Sequence, residues 1–235
     1  MKLTRFTNYL IPINVKERII ELFNVFRSVF YPEPYRTVLP YTILSIKRLK
    51  NLINLVDIVN KLEIEGDIVE CGTYNGGSAA VLATAARKSS FKRHIYIIDS
   101  FQGLPEASIK DSIYANQYAG MCKGNENKVK EVLSKVGVER NNYTLVKGWF
   151  HEVLPSLTIK KISLLHIDAD WYESVKLCLD NLFDKVVVGG FVVLDDYGFW
   201  EGCRKALTEF ATRRNFDISL EKVDNTGVYF KKTQN

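Results

Sequence analysis

From residue 66 onward the chain alternates short apolar runs with amphipathic segments, and this alternation constrains the fold more than any other feature. Runs at 67–71, 94–99, 143–146, 162–168 and 191–195 read as strands. Helical periodicity at 77–87, 123–135, 174–182 and 202–213 fills the intervals. Strands apolar throughout need cover on both faces, so the pattern predicts an α/β fold with a mostly parallel sheet and helices on each side. The runs at 218–222 and 227–231 predict an antiparallel closing hairpin. Upstream, 45–62 reads as a helix. Pro32 and Pro34 separate it from a helix over 14–31, where Val15, Ile19, Leu22, Phe23, Phe26, Val29 and Phe30 recur at helical spacing. A length of 235 residues suits one large domain of this kind.

The first strand leads into Val69-Glu70-Cys71-Gly72-Thr73-Tyr74-Asn75-Gly76-Gly77-Ser78, which turns on glycines and enters a helix. Glycine lets the backbone reach positive φ and approach a ligand closely. The spacing G-x-x-x-G-G differs from the dinucleotide fingerprint G-x-G-x-x-G, and no G-K-[ST] follows to make a P-loop. An acid before the glycines suits a cationic ligand better than a pyrophosphate. S-adenosylmethionine, with a sulfonium and an ammonium, fits beside Glu70. Asp99 ends the next strand, 29 residues after Glu70, where a carboxylate can accept from two ribose hydroxyls. The bland alternative for the glycines is an ordinary βα turn.

Two later strands end in acids, at Asp168 and Asp170 and at Asp195 and Asp196. Four carboxylates at one sheet edge repel unless a cation or protons intervene. Oxygen ligands without soft partners suit Mg²⁺, or Mn²⁺. Such a cation can acidify a substrate hydroxyl, and a remaining carboxylate can take its proton. Asp195 and Asp196 point to opposite faces of a regular strand, so both reach one ion only if the chain turns there. Asp170 has an alternative role as a cap of the helix that follows. His166, inside an apolar strand, reads as a satisfied core histidine. The loop over 100–122 is long enough to be functional.

Lys+Arg exceed Asp+Glu by 32 to 27, a net charge of +5, too mild to point to nucleic acid. Residues 1–31 alone carry five basic and two acidic side chains. The helix in this arm is expected to pack on its own domain or on a second subunit, making a homo-oligomer. The alternative is peripheral contact with an anionic membrane. Cys71, Cys122, Cys178 and Cys203 form no C-x-x-C pair and sit in or beside apolar segments, which suggests reduced thiols and a cytoplasmic protein.

The runs E-C-G-T-Y-N-G-G-S, I-D-S-F-Q-G-L-P, K-G-W-F-H-E-V-L-P, H-I-D-A-D-W-Y-E-S, G-G-F-V-V-L-D-D-Y-G and G-C-R-K-A, in this order, resemble the macrocin O-methyltransferase family. The resemblance covers roughly residues 40–215 and implies a Rossmann-like class I methyltransferase fold. It implies S-adenosylmethionine-dependent, Mg²⁺-dependent methylation of a sugar hydroxyl on a small-molecule acceptor. By position it implies that Glu70, Gly72 and Ser78 surround the methionine part of the cofactor and that Asp99 holds the ribose. Ser100 and Phe101, also cofactor-binding, would flank it, and Gly148, Trp149 and Phe150 would lie near the adenine. Asp168, Asp195 and Asp196 match metal ligands, and Asp170 matches the general base. Tyr41-Thr42 resembles the pair opening a lid, with Arg48 at a matching downstream position. The chain thus divides into an N-terminal helical arm, 1–40, and a methyltransferase domain, 41–235. Methylation of a catechol or other phenol, and a non-catalytic module on the same fold, are the competing readings.

Overall fold

The computed structural model describes residues 13–234; residues 1–12 of the arm, and the side chains of residues 13–17, Val15 and Lys16 among them, lie outside what it describes. Seven strands form one sheet: β1 Asp67–Cys71, β2 Ile95–Asp99, β3 Tyr143–Lys147, β4 Ile162–Ile167, β5 Val186–Leu194, β6 Glu221–Lys222 and β7 Val228–Lys231. Their order is β3-β2-β1-β4-β5-β7-β6. The first five are parallel, and β7 inserts antiparallel between β5 and β6. The order reverses between β1 and β4. In open sheets of this kind the crevice beyond the strand ends at that point receives ligands.

The helices are α1 Ile13–Ser28, α2 Tyr35–Val38, α3 Ile46–Lys61, α4 Gly77–Ala86, α5 Glu126–Lys135, α6 Phe150–Val153, α7 Tyr172–Leu182 and α8 Glu201–Arg214. Strand period 2 sorts the core into two layers. Ile68, Ile97, Leu164 and Val193 meet α3, α4 and α5 on one face. Val69, Ile98, Leu165 and Val192 meet α7 and α8 on the other. Val38 and Leu39, within the segment expected to form the arm, already belong to the first layer. Ser45 caps α3 by accepting from the Arg48 amide, so the helix starts where a serine can satisfy an orphan N–H.

Two elements differ from expectation. β5 begins at Val186, five residues before the expected 191. Gly189 takes φ +90° within the strand, and the β4–β5 register shifts between Ile162 and Leu164. The closing hairpin keeps only Glu221 and Lys222 on its outer strand. Ile218 and Leu220 pack partly buried against the α7/α8 layer instead.

α1 forms as a helix but faces the opposite way from an ordinary surface helix. Asn24 and Ser28 are buried against the body, while Leu22, Phe23 and Phe26 are exposed. Among the described residues, no helix is long and apolar enough to cross a membrane.

Candidate active site

The C-terminal ends of β1, β2 and β4 are tied side by side by their own backbones. Gly72 N–H donates to the Ile98 carbonyl (2.8 Å) and Asp168 N–H to the Cys71 carbonyl (2.9 Å). Asp195 N–H extends the ladder to the Ile167 carbonyl (3.1 Å). Gly72 has φ +84°, and a Cβ there would stand 1.8 Å from the Asp168 carbonyl oxygen. Only glycine lets β1 and β4 end this close together.

Above this edge opens a cleft of about 990 Å³, counting its open mouth. Gly72, Ser78, Asp99, Ser100, Gly148, Trp149 and Phe150 line it, as do Asp168, Asp170 and Asp196 from the opposite side. Thr42 and Arg48 close a third wall. Asp99 shapes the glycine loop: its Oδ2 accepts from the amides of Thr73 (2.8 Å) and Tyr74 (3.0 Å), and its Oδ1 from that of Phe101 (2.7 Å). Burial pushes its carboxyl above the usual value, partly offset by those three donors.

Four of the expected residues do not line the cleft. Glu70 alternates to the α3/α4 face of β1 and is fully buried, its Oε2 accepting from the Thr73 hydroxyl (2.5 Å) and its Oε1 3.0 Å from His166 Nδ1. Phe101 turns into the core with φ +56°. Tyr41 points away from the cleft, its hydroxyl donating to Glu131 (2.7 Å) and accepting from Lys135 (2.6 Å). Asp195 is buried, its Oδ2 3.2 Å from His166 Nε2.

The aspartates divide as their strand ends dictate. Ligand atoms of Asp168, Asp170 and Asp196 lie within 4.8 Å of one another, and those of His166, Asp168 and Asp195 form a second such group. β4 stops at Ile167, so period 2 does not bring Asp170 beside Asp168. A left-handed turn at Asp170, φ +53°, does so. Asp170 caps nothing: Oδ1 accepts from Trp200 Nε1 (2.7 Å). The first amide of α7, Tyr172 N–H, is satisfied by Asp111 Oδ1 (2.8 Å) from the long loop. Nothing local in the sequence marks Asp111, because its partner lies 61 residues away.

Burial and mutual repulsion raise the carboxyls of Asp168 and Asp170 well above the usual range. Burial, then Asp195, pushes Asp196 up to about 6. Burial works against a charge on His166, but Asp195 and Glu70 outweigh it and hold its pKa well above normal. Arg48 Nη1 approaches Asp195 Oδ2 at 3.8 Å, while its Nε donates to Asp224 (3.0 Å) and Nη2 to Thr226.

A family model described as Macrocin-O-methyltransferase (TylF) matches residues 33–232. Demethyldecarbamoylnovobiocin O-methyltransferase of Streptomyces niveus is 35% identical over 209 residues, spanning 83% of this chain and 76% of that one. Mycinamicin III 3''-O-methyltransferase of Micromonospora griseorubida is 28% identical over 210 residues, spanning 86% of this chain and 82% of that one. The solved structure of the O-methyltransferase NovP superposes with a TM-score of 0.78 at 26% identity, covering 94% of this chain and all of that one (100%). The glycine loop, the acid-tipped strands and these matches agree: the chain belongs to the macrocin O-methyltransferase (TylF) family and is an S-adenosylmethionine-dependent O-methyltransferase.

Proposed function

We propose that the chain methylates a hydroxyl of a sugar or glycosylated small molecule, with the aid of a divalent cation, Mg²⁺ or Mn²⁺. The observation that carries this reading is the convergence of Asp168, Asp170 and Asp196 in the same cleft as the Gly72–Asp99 loop. The relatives named above act, by their names, on demethyldecarbamoylnovobiocin and mycinamicin III.

The residues fit a hard dication. Ligand atoms of Asp168, Asp170 and Asp196 crowd within 4.8 Å of one another, and burial and mutual repulsion push these carboxyls toward protonation. An all-oxygen set of this kind is what such ions take. Asp168 and Asp196 would hold it from the cleft side and Asp195 from the buried side. When bound, it would supply charge that offsets the carboxylates and acidifies a nearby hydroxyl, while the cofactor supplies an electrophilic methyl. Asp170 takes the acceptor's proton. Its Oδ1 is occupied by Trp200, which leaves Oδ2 to receive it. Gly72, Ser78, Asp99 and Ser100 would hold the donor, with Gly148, Trp149 and Phe150 at its adenine end. Rate then comes largely from alignment, because the reacting groups are held by two walls of one rigid sheet edge.

The test is an acceptor screen of glycosides against catechols, read as mass gain of one methyl, with and without chelator. Glycoside methylation that EDTA abolishes and Mg²⁺ restores is the expected result. Metal-independent turnover removes the cation from the reading, and preference for catechols removes the sugar. Asp170→Asn should abolish turnover while S-adenosylhomocysteine still binds.

A further inference from the structure

A row of buried ionisable side chains crosses the sheet beneath the cleft. Glu70 on β1 and His166 on β4 are register partners, and Asp195 lies two positions beyond Val193, the β5 partner of His166. Glu70 and His166 are fully buried, and Asp195 is 1% exposed. The Thr73 hydroxyl donates to Glu70 Oε2 (2.5 Å), Glu70 Oε1 meets His166 Nδ1 at 3.0 Å, and His166 Nε2 meets Asp195 Oδ2 at 3.2 Å. Thr73 also belongs to the cofactor wall, where its amide donates to Asp99 (2.8 Å). One line of polar contacts therefore runs from the cofactor loop to the acidic cluster.

Stability alone does not call for such a row. The preceding register pair on the same face, Ile68 with Leu164, is apolar and belongs to the core. Buried ionic groups generally hold a fold no better than apolar side chains of the same volume. What the row does provide is a fixed ring. Both partners of the imidazole are carboxylates, which accept on either side of it, so rotation of the ring would break two contacts at once.

We propose that Glu70 and His166 are positioning residues that couple the two ligands of the site, so that the cofactor tightens binding of the divalent cation and the cation tightens binding of the cofactor. The proposal rests on the cation reading above. A cofactor that orders the Gly72–Tyr74 loop fixes the Thr73 hydroxyl on Glu70. Glu70 fixes the ring, and the ring fixes Asp195 Oδ2, which Arg48 Nη1 also approaches at 3.8 Å. Contact with the cation then falls to Oδ1, held at a set angle. Coupling of this kind is reciprocal, because both ligands act on the same line of contacts.

The experiment measures Mn²⁺ binding by electron paramagnetic resonance and S-adenosylhomocysteine binding by calorimetry, each with and without the other ligand, on the full chain without acceptor. In the unmodified chain each ligand should tighten the other by the same factor, about 5-fold or more. Thr73→Val removes the hydroxyl and should bring that factor to roughly 1, while Thr73→Ser keeps the hydroxyl and should restore it. His166→Asn, checked by circular dichroism, should weaken Mn²⁺ binding about 10- to 100-fold, the usual effect of altering a group that orients a metal ligand. The Thr73 pair decides the matter if His166→Asn does not fold. Mn²⁺ binding that ignores the cofactor overturns the coupling and leaves the cation reading standing. A factor unchanged in Thr73→Val also overturns it, because the ligands then meet directly in the cleft. A chain that binds no Mn²⁺ overturns both.

Discussion

Asp170 is held in a left-handed turn by an indole donor, so its orientation depends on Trp200. That ring also stacks edge-on against Trp171, Tyr118 and Phe199. Trp200→Phe keeps an aromatic ring in that cluster and deletes the N–H. A hydrogen bond to a charged group is worth about 1.5–3 kcal/mol, so kcat should fall roughly 10- to 100-fold if the bond matters mainly in the transition state. Steady-state kinetics would show this as a lower kcat with a nearly constant KM for S-adenosylmethionine. An unchanged kcat would mean that Trp200 only packs. Gly72→Ala tests the opposite constraint, because a methyl cannot coexist with the Asp168 carbonyl at 1.8 Å. Together with the strain at φ +84°, the cost should exceed about 2 kcal/mol, read as a lower Tm and weaker S-adenosylhomocysteine binding. At this scale the sequence was legible wherever a residue acts on its chain neighbours. The glycine turn and the acid strand tips are of that kind. It was illegible wherever the partner is distant: Glu70 looked like a ligand contact, yet its face of β1 points to His166, 96 positions away.

Among the elements, α3 and the β6–β7 turn meet through one ionic contact beside the acidic cluster. Asp224 accepts from the amides of Thr226 (2.9 Å) and Gly227 (2.8 Å) and from Arg48 Nε (3.0 Å). Burial opposes its charge, but the two amides and the guanidinium hold its pKa down to about 2. A native value below the unfolded one means that the unfolded state binds protons first as pH falls. The contribution is therefore complete above about pH 5, where an unfolded aspartate is almost fully ionised, and is lost as pH drops through about 4 toward 2. Asp224→Asn should flatten the Tm–pH curve in that window and lower Tm at neutral pH; an acid limb as steep as that of the unmodified chain would assign the transition to other carboxyls. The elements themselves were largely predictable, because each strand and helix carries its own period. β5 runs longer than its apolar stretch because Gly189 and Gly190 carry no apolar side chain to extend the pattern, whereas Lys232 holds them in line: Gly189 N–H donates to its carbonyl (2.7 Å) and its N–H to the Gly190 carbonyl (2.9 Å). α1 was predicted as a helix for the right reason, but periodicity reports that an apolar face exists and is silent on which way it turns.

For the whole molecule, the acidic cleft and the described part of the arm sit in one packing unit rather than two. Val38 and Leu39 lie in the same core layer as α3, α4 and the sheet, and α1 is hydrogen-bonded to Thr42, Tyr74 and Asn75. Of the net charge of +5, residues 1–31 contribute five basic against two acidic side chains, while the cleft gathers aspartates. Three of the five net positive charges thus belong to the arm, away from the acidic edge of the sheet. If arm and body unfold together, a ligand that grips only the cleft must stabilise both. S-adenosylhomocysteine at a hundredfold its Kd adds about 2.7 kcal/mol to the folded state. At roughly 2–4 °C per kcal/mol for a chain of this size, Tm should rise by about 5–11 °C. Calorimetry should show that rise as the shift of a single cooperative transition. Two transitions, with the lower one insensitive to ligand, would mean that the arm melts independently and that its grip on Tyr74 is too weak to couple it to the site.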